Sequence, residues 1–341
     1  MSFRFGLHYS CQSPDGNWEQ IYNEILEQAR EAEQLGYDIF SVAEHHFLPD
    51  GWIPAPTVFL GALAAVTEKA DLVTNIVILP LHHPIEIAEQ AAVLDLLSGG
   101  RFKLGVAIGW RDEEFNSYGI DKGERVPRTV EGIQLISRLT AGGPVTYEGD
   151  FYSVSDLELM PPTVQQPIPI WYGGQSKRAI RRAAHITDAW SMSPIETRAE
   201  LAESTTFYRE ALEDAGRSFE DVRKPLRREA YIASDDETAW EEVGPALLYE
   251  YEDVYGEYDD IGHSFSSDSK REDAIADLRE HAEDRFIIGS PETAIQELEQ
   301  YEAEVEMDDV ILRMHFPGLE TTKSTKSMRL FADEVMPHFL E

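Results

Sequence analysis

Cysteine is nearly absent from this chain. Cys11 is the single one, which excludes an internal disulfide and a cysteine-rich metal site. No run of eighteen apolar residues occurs, so nothing reads as a membrane-spanning helix. The opening residues, Met1-Ser2-Phe3-Arg4-Phe5-Gly6, lack the apolar stretch and small-residue cleavage site of a signal peptide. Together these absences predict a cytoplasmic protein. Lysine is scarce, with eight against twenty-one arginines, and the 29 basic residues face 64 acidic ones. A formal net charge of −35 repels polyanions, which argues against nucleic acid and membrane surfaces as partners. The acidic excess is spread along the chain rather than held in a tail, a pattern that predicts adaptation to high salt. At molar salt the Debye length is about 3 Å, so self-repulsion is largely screened. Structure is expected to be lost in millimolar salt, and an unchanged circular dichroism spectrum there would contradict this. There is no Gly-x-Gly-x-x-Gly dinucleotide motif and no internal repeat.

What is present is organised around residues 72–110. Leu72-Val73-Thr74-Asn75-Ile76-Val77-Ile78-Leu79 has the β-branched composition of a strand buried on both faces. Pro84 suits the first turn of a helix, whose apolar positions run from Ile87 to Leu97 before Gly99 and Gly100 stop it. Phe102 to Ile108 is a second buried strand. Strand, crossover helix and parallel strand make a βαβ unit. Strands are also predicted at 3–9, 37–43, 168–172, 188–192, 226–233 and 309–314, mostly separated by helices. Asn17 is expected to N-cap the first helix. Eight strands in 341 residues predict an α/β protein with a single (β/α)8 TIM barrel, one domain over 1–341. An acidic, tyrosine-rich stretch at about 235–285 reads as an insertion or lid.

In parallel α/β folds the chemistry sits on loops after the carboxyl ends of strands. Gly173-Gly174-Gln175-Ser176 lies between a strand and a helix, where glycine allows close approach and a helix N-terminus offers N–H groups to a phosphate. An ordinary turn would look the same. Glu44-His45-His46 ends the second strand, and a histidine there can donate a proton, bond a bound ring or ligate a metal. Neighbouring residues on a strand point to opposite sides, so His45 and His46 are not expected to act together, nor His82 and His83. A metal site built from His8, His45 and His82 lacks a paired His-x-His or carboxylate cluster, and no metal is expected. Arg125 and Arg128 share a helix face as salt bridges or as a phosphate clamp. Trp110, Trp171, Tyr172 and Phe47 fall at strand ends and can wall a flat aromatic cofactor or simply pack.

These pieces resemble one family in order and spacing. They are Ala43-Glu44-His45-His46-Phe47, Leu79-Pro80-Leu81-His82-His83-Pro84, Leu96-Leu97-Ser98-Gly99-Gly100-Arg101-Phe102, Gly109-Trp110 with Glu114-Phe115, Arg125-Val126-Pro127-Arg128, the Gly-Gly-Gln-Ser turn and Gly289-Ser290-Pro291-Glu292. The chain resembles the luciferase-like flavin monooxygenases, a group that includes bacterial luciferase and deazaflavin-dependent reductases. The resemblance implies a barrel that binds FMN, or coenzyme F-420 in some branches, at its carboxyl face. It implies that His45 is catalytic beside the ring, and that Asn75 and Ile76 form a bulge behind it, often with a non-proline cis peptide. Trp110 would flank the ring, and Arg125, Gly173, Gly174, Gln175 and Ser176 would hold the phosphate. Two departures stand out. Ala107 replaces the reactive cysteine of bacterial luciferase and Ile108 its phosphate-binding arginine, which argues against light emission. The implied activity is FMN-dependent oxygenation of a small organic substrate, with reduced flavin from a separate NAD(P)H-dependent reductase. The alternatives are F-420-dependent hydride transfer and a non-catalytic flavin-binding subunit. A homodimer is implied too, packed through helices near the second and third strands, where Gly61-Ala62-Leu63-Ala64-Ala65 allows close contact.

Overall fold

A computed structural model of the chain describes residues 3–254 and 271–340. Its strands in chain order are β1 (Arg4–Tyr9), β2 (Ile39–Val42), β3 (Asp71–Thr74), β4 (Val77–Ile78), β5 (Phe102–Ala107), β6 (Pro144–Glu148), β7 (Ser153–Glu158), β8 (Ile170–Gly173), β9 (Ala189–Ser191), β10 (Pro225–Ile232), β11 (Ile287–Gly289) and β12 (Asp309–Arg313). The helices are α1 (Trp18–Gln34), α2 (Pro56–Val66), α3 (Pro84–Ser98), α4 (Asp112–Tyr118), α5 (Arg125–Thr140), α6 (Lys177–Ile186), α7 (Arg198–Asp214), α8 (Asp236–Tyr249), α9 (Arg271–Ala282), α10 (Pro291–Val305), α11 (Thr321–Glu334) and α12 (Met336–Phe339).

All strands except β6 and β7 join one parallel sheet in the order β11-β10-β12-β1-β2-β3-β5-β8-β9, with β4 beside β5. Met192, just past β9, bridges Leu226 on β10 in parallel, which closes the ring. The expected barrel is therefore present. β6 and β7 form a separate antiparallel hairpin.

Alternation along the strands stacks the ring in layers. At the amino end Arg4 bonds Asp309 at 2.8 and 2.9 Å and Asp71 at 2.7 Å. The next layer is apolar: Ile39, Val73, Trp171, Ala189 and Ile311 pack into a plug. Gly105 leaves room here, since a Cβ on it would meet the Thr74 carbonyl oxygen at 1.9 Å. Beside the plug, Arg227 reaches in from β10 toward His8, and with Ser41, Ser191 and Arg313 these residues make a polar floor. The larger apolar core lies between the sheet and the surrounding helices.

The structure corrects four local expectations. The strand read at 72–79 is broken after Thr74, where the Asn75–Ile76 peptide is cis. Asn17 stands at the N-cap of α1, but its side chain makes no cap bond. Ile287–Gly289, read only as the approach to a helix, is a short strand on β10. The first part of the expected insertion is helical: α8 runs into a π-helical turn, Glu250–Val254. Residues 255–270 of that segment lie outside the described residues.

Candidate functional site

A cavity of about 760 Å³ opens at the carboxyl ends of the strands. This falls within the roughly 300–1,000 Å³ usual for small-molecule and cofactor sites. His45, Asn75, Ile76, Trp110, Arg125, Gly173, Gly174, Gln175 and Ser176 all line it. Thus residues read from five separate loops meet around one space. Trp171 and Phe47 do not line it: Trp171 belongs to the barrel plug, and Phe47 is 54% exposed.

On the histidine side, the loop after β2 is held to the cis peptide segment. Glu44 N–H donates to the Ile76 carbonyl at 3.0 Å, and Asn75 N–H donates to that of Val42 at 2.6 Å. His45 and His46 then diverge, as expected. His45 Nδ1 lies 3.0 Å from Glu114 Oε1, a buried carboxylate supplied by α4. The same oxygen accepts the His46 N–H at 3.0 Å, and Arg111 approaches it at 3.6 Å. With Nδ1 held, Nε2 is the His45 nitrogen available to a ligand. Trp52 and Trp110 meet the ring edge-on, with centroids at 4.9 and 5.8 Å.

His46 turns instead to Glu44. His46 Nε2 and His82 Nε2 each lie 2.6 Å from Glu44 Oε1, while Glu44 Oε2 accepts the Ile78 N–H at 2.7 Å. Burial pushes the Glu44 carboxyl up, but the hydrogen bonds from His46 and His82 outweigh it and hold it below the ordinary carboxylate range. Burial pushes His82 down, but the bond to Glu44 and the charges of Glu44 and Glu86 leave it raised. Glu44, His46 and His82 are also the one group among the described residues whose donor atoms are close enough to share a metal ion, all within 4.8 Å. The histidines weighed for a metal do not meet: His8 bonds Ser41, His45 bonds Glu114 and His82 bonds Glu44. His83 caps α3, its ring nitrogen accepting the Ile85 N–H.

The opposite side is a corner suited to an anion. Ser176 N-caps α6, accepting the Ala179 N–H at 3.2 Å. Trp190 Nε1 donates to the Gly174 carbonyl at 2.7 Å and fixes the turn. A Cβ on Gly174 would lie 2.7 Å from that of Ala179, so the turn packs against its own helix because position 174 is bare. Arg125 begins α5, and its Nε has no partner among the described residues. A half-buried guanidinium lining the cavity beside a helix N-terminus fits a phosphate. Arg128 does not join it. Its guanidinium pairs with Glu124 at 2.8 Å and stacks over Phe151 at 4.7 Å.

Four residues of the site carry no role in the sequence reading, Trp52 beside His45 among them. Glu114 was noted only as part of a motif, although a carboxylate one helical turn past a glycine-tryptophan strand end is placed to reach that end. Tyr251, from the acidic stretch, lines the cavity. Arg227 lines it from β10. The signal for Arg227 is Arg227-Arg228-Glu229 inside an otherwise apolar strand, since buried charges are rare without a task.

The family model for luciferase-like monooxygenases matches residues 3–305. The oxygenase component of a flavin-dependent trigonelline monooxygenase from Acinetobacter baylyi is 25% identical, over 100% of this chain and 96% of that protein. An F420-dependent glucose-6-phosphate dehydrogenase from Microbacterium testaceum is 27% identical, over 92% of this chain and 93% of that one. Two more local matches, at 33% and 39% identity, span 53% and 36% of those relatives. The crystal structure of monooxygenase RslO1 from Streptomyces bottropensis superposes with a TM-score of 0.88 over 98% of this chain and 99% of that one, at 24% identity, which shows a shared fold. Among the described residues, no helix is long and apolar enough to cross a membrane. The family model, spanning most of the barrel and the cavity at its carboxyl end, makes this chain a member of the luciferase-like monooxygenase family.

Proposed function

We propose that this chain is the oxygenase component of a two-component, FMN-dependent monooxygenase acting on a small organic substrate. The observation that carries the reading is the two-sided cavity: a held histidine with one free nitrogen faces a corner built for a phosphate. Reduced FMN bound there would supply the electrons for oxygen activation. The chain's own residues bind, orient and shield. Arg125 and the 174–176 turn hold the phosphate, and Gly173 leaves the wall flat. Asn75 and Ile76 back the ring. Glu114 fixes His45 so that Nε2 can hold or pass a proton at the reacting face. Trp52, Trp110 and Tyr251 exclude water from it. Reduced flavin comes from a separate NAD(P)H-dependent reductase, consistent with the missing dinucleotide motif. The chain works as a homodimer, supported by the exposed Val58 of α2 and Val93 and Leu97 of α3.

Oxygen consumption decides the reading. With chemically reduced FMN and protein in high salt, the rate should exceed that of free reduced flavin once substrate is found in a screen. The second reading is F-420-dependent hydride transfer, favoured by the F420-dependent relative. Reduction of F-420 by a substrate without oxygen uptake would establish it and overturn the first.

A further inference from the structure

Three buried arginines lie on β10 and β12, and they are partnered unequally. Arg228 points out of the barrel and is saturated: Nε donates to Tyr301 Oη at 2.9 Å, Nη1 to the Ser193 and Pro194 carbonyls at 3.1 and 2.8 Å, and Nη2 to that of Glu196 at 2.7 Å. Arg313, on the polar floor, holds both oxygens of Glu250 at 2.7 and 2.9 Å and Gln12 Oε1 at 2.8 Å. Arg227 differs. Nη1 lies 3.3 Å from His8 Nε2 and Nη2 lies 3.4 Å from Glu229 Oε1, both at the long limit of a hydrogen bond. It is the arginine of the three that lines the cavity. A guanidinium carries five N–H donors; with Nε buried and one N–H of each Nη on His8 and Glu229, the second N–H of Nη1 and of Nη2 is what Arg227 has to offer.

The surrounding charges define what it would accept. Glu229 and Glu250 match Arg227 and Arg313. Gln12 links Arg313 to a third carboxylate, Asp50, through a 2.6 Å bond. His8 adds no positive charge, because burial and the nearby Arg227 and Arg313 push its pKa well down. With Arg227 donating to His8 Nε2, the proton sits on Nδ1 and is donated to Ser41 Oγ at 2.8 Å. The positive charge of the floor is therefore already balanced. A substrate carboxylate would enter as surplus buried negative charge, which is costly. A carbonyl oxygen accepts from the guanidinium and brings no charge.

We propose that Arg227 is a substrate-binding residue that grips the carbonyl oxygen of a neutral ketone-like substrate at the floor of the cavity. This rests on the reading of the cavity as the flavin and substrate site. The test uses the flavin-loaded protein and three matched probes, acetophenone, ethylbenzene and benzoate, with affinities read by thermal shift. Acetophenone should bind about tenfold or more tightly than the other two, the worth of a hydrogen bond to a charged donor. Arg227→Met should abolish that preference without changing flavin affinity, and Arg227→Lys should keep part of it. The carbonyl stretch of ¹³C-labelled acetophenone should lie lower on the wild-type protein than on R227M. If R227M does not fold, the wild-type frequency is compared with that in water, and a value below water supports the assignment. Benzoate binding most tightly, no preference for the ketone, or a stretch unmoved by R227M would overturn it. Failure of the wild-type protein to bind FMN or F-420 would instead overturn the flavin reading. The same probe series on the unloaded protein would then still decide the role of Arg227.

Discussion

The two ends of the barrel both carry buried charge, and they use it differently. At the amino end Asp309 accepts from Arg4 and Arg223, and Asp71 takes Arg4 and Lys103, so each charge closes on another. At the carboxyl end Glu44 and Glu250 also close on their partners, but Arg227 reaches His8 and Glu229 only at 3.3 and 3.4 Å, and it lines the cavity together with Arg125. Tightly paired charge holds the ring together, whereas loosely held charge beside a cavity is left for a ligand. The difference separates framework from site without reference to any relative.

Mutations that break this contrast should sort by end. Asp309→Ala removes the carboxylate that Arg4 and Arg223 share, leaving Arg4 on Asp71 and Arg223 on Asp308, and should cost about 2–3 kcal/mol in denaturant unfolding, with FMN affinity unchanged. Arg125→Ala should do the reverse. FMN affinity should fall about 10–100-fold, from the loss of charge-assisted bonds to phosphate, with stability altered by no more than about 0.5 kcal/mol.

The pH dependence sharpens the contrast. Burial raises the Asp309 carboxyl, but its bonds to Arg4 and Arg223 outweigh this and depress it. Its stabilisation is present above the unfolded value, about 3.9, and is lost as pH falls through the folded one. Glu44 is depressed in the same sense. His82 is raised, so its contribution is full below about 6.5 and is lost as pH rises through its folded value. The amino end should therefore weaken only in acid and the Glu44 cluster on both sides. In urea titrations from about pH 2 to 9, His82→Gln should flatten the decline above neutrality, and Asp309→Ala should flatten the acid limb. The smallest effect is Ser176→Ala, which removes the cap of α6 and should cost about 1 kcal/mol.

Much of the barrel was legible because its strands are short apolar runs set off by glycine and proline. Pro84 and Gly99 mark the two ends of α3 where the structure has them. The break after Thr74 was not readable from composition, because Asn75-Ile76 continues a β-branched run; only the resemblance suggested the cis bond. Ile287–Gly289 was hidden by its three-residue length. The residues lining the cavity could be gathered because each stands at a strand end. Their partners could not, since pairing Glu114 with His45 spans sixty-nine positions and Arg313 with Glu250 sixty-three. Such pairs are set by the closure of the ring, not by local pattern. The charges within 227–229 were the one visible clue to the polar floor.

The most direct test of the central claim is a fluorescence titration of the wild-type protein, in high salt, with FMN and with riboflavin. A phosphate corner at Arg125 and the 174–176 turn predicts FMN binding at least about tenfold tighter than riboflavin. Equal affinity for the two, or binding of neither, would contradict it.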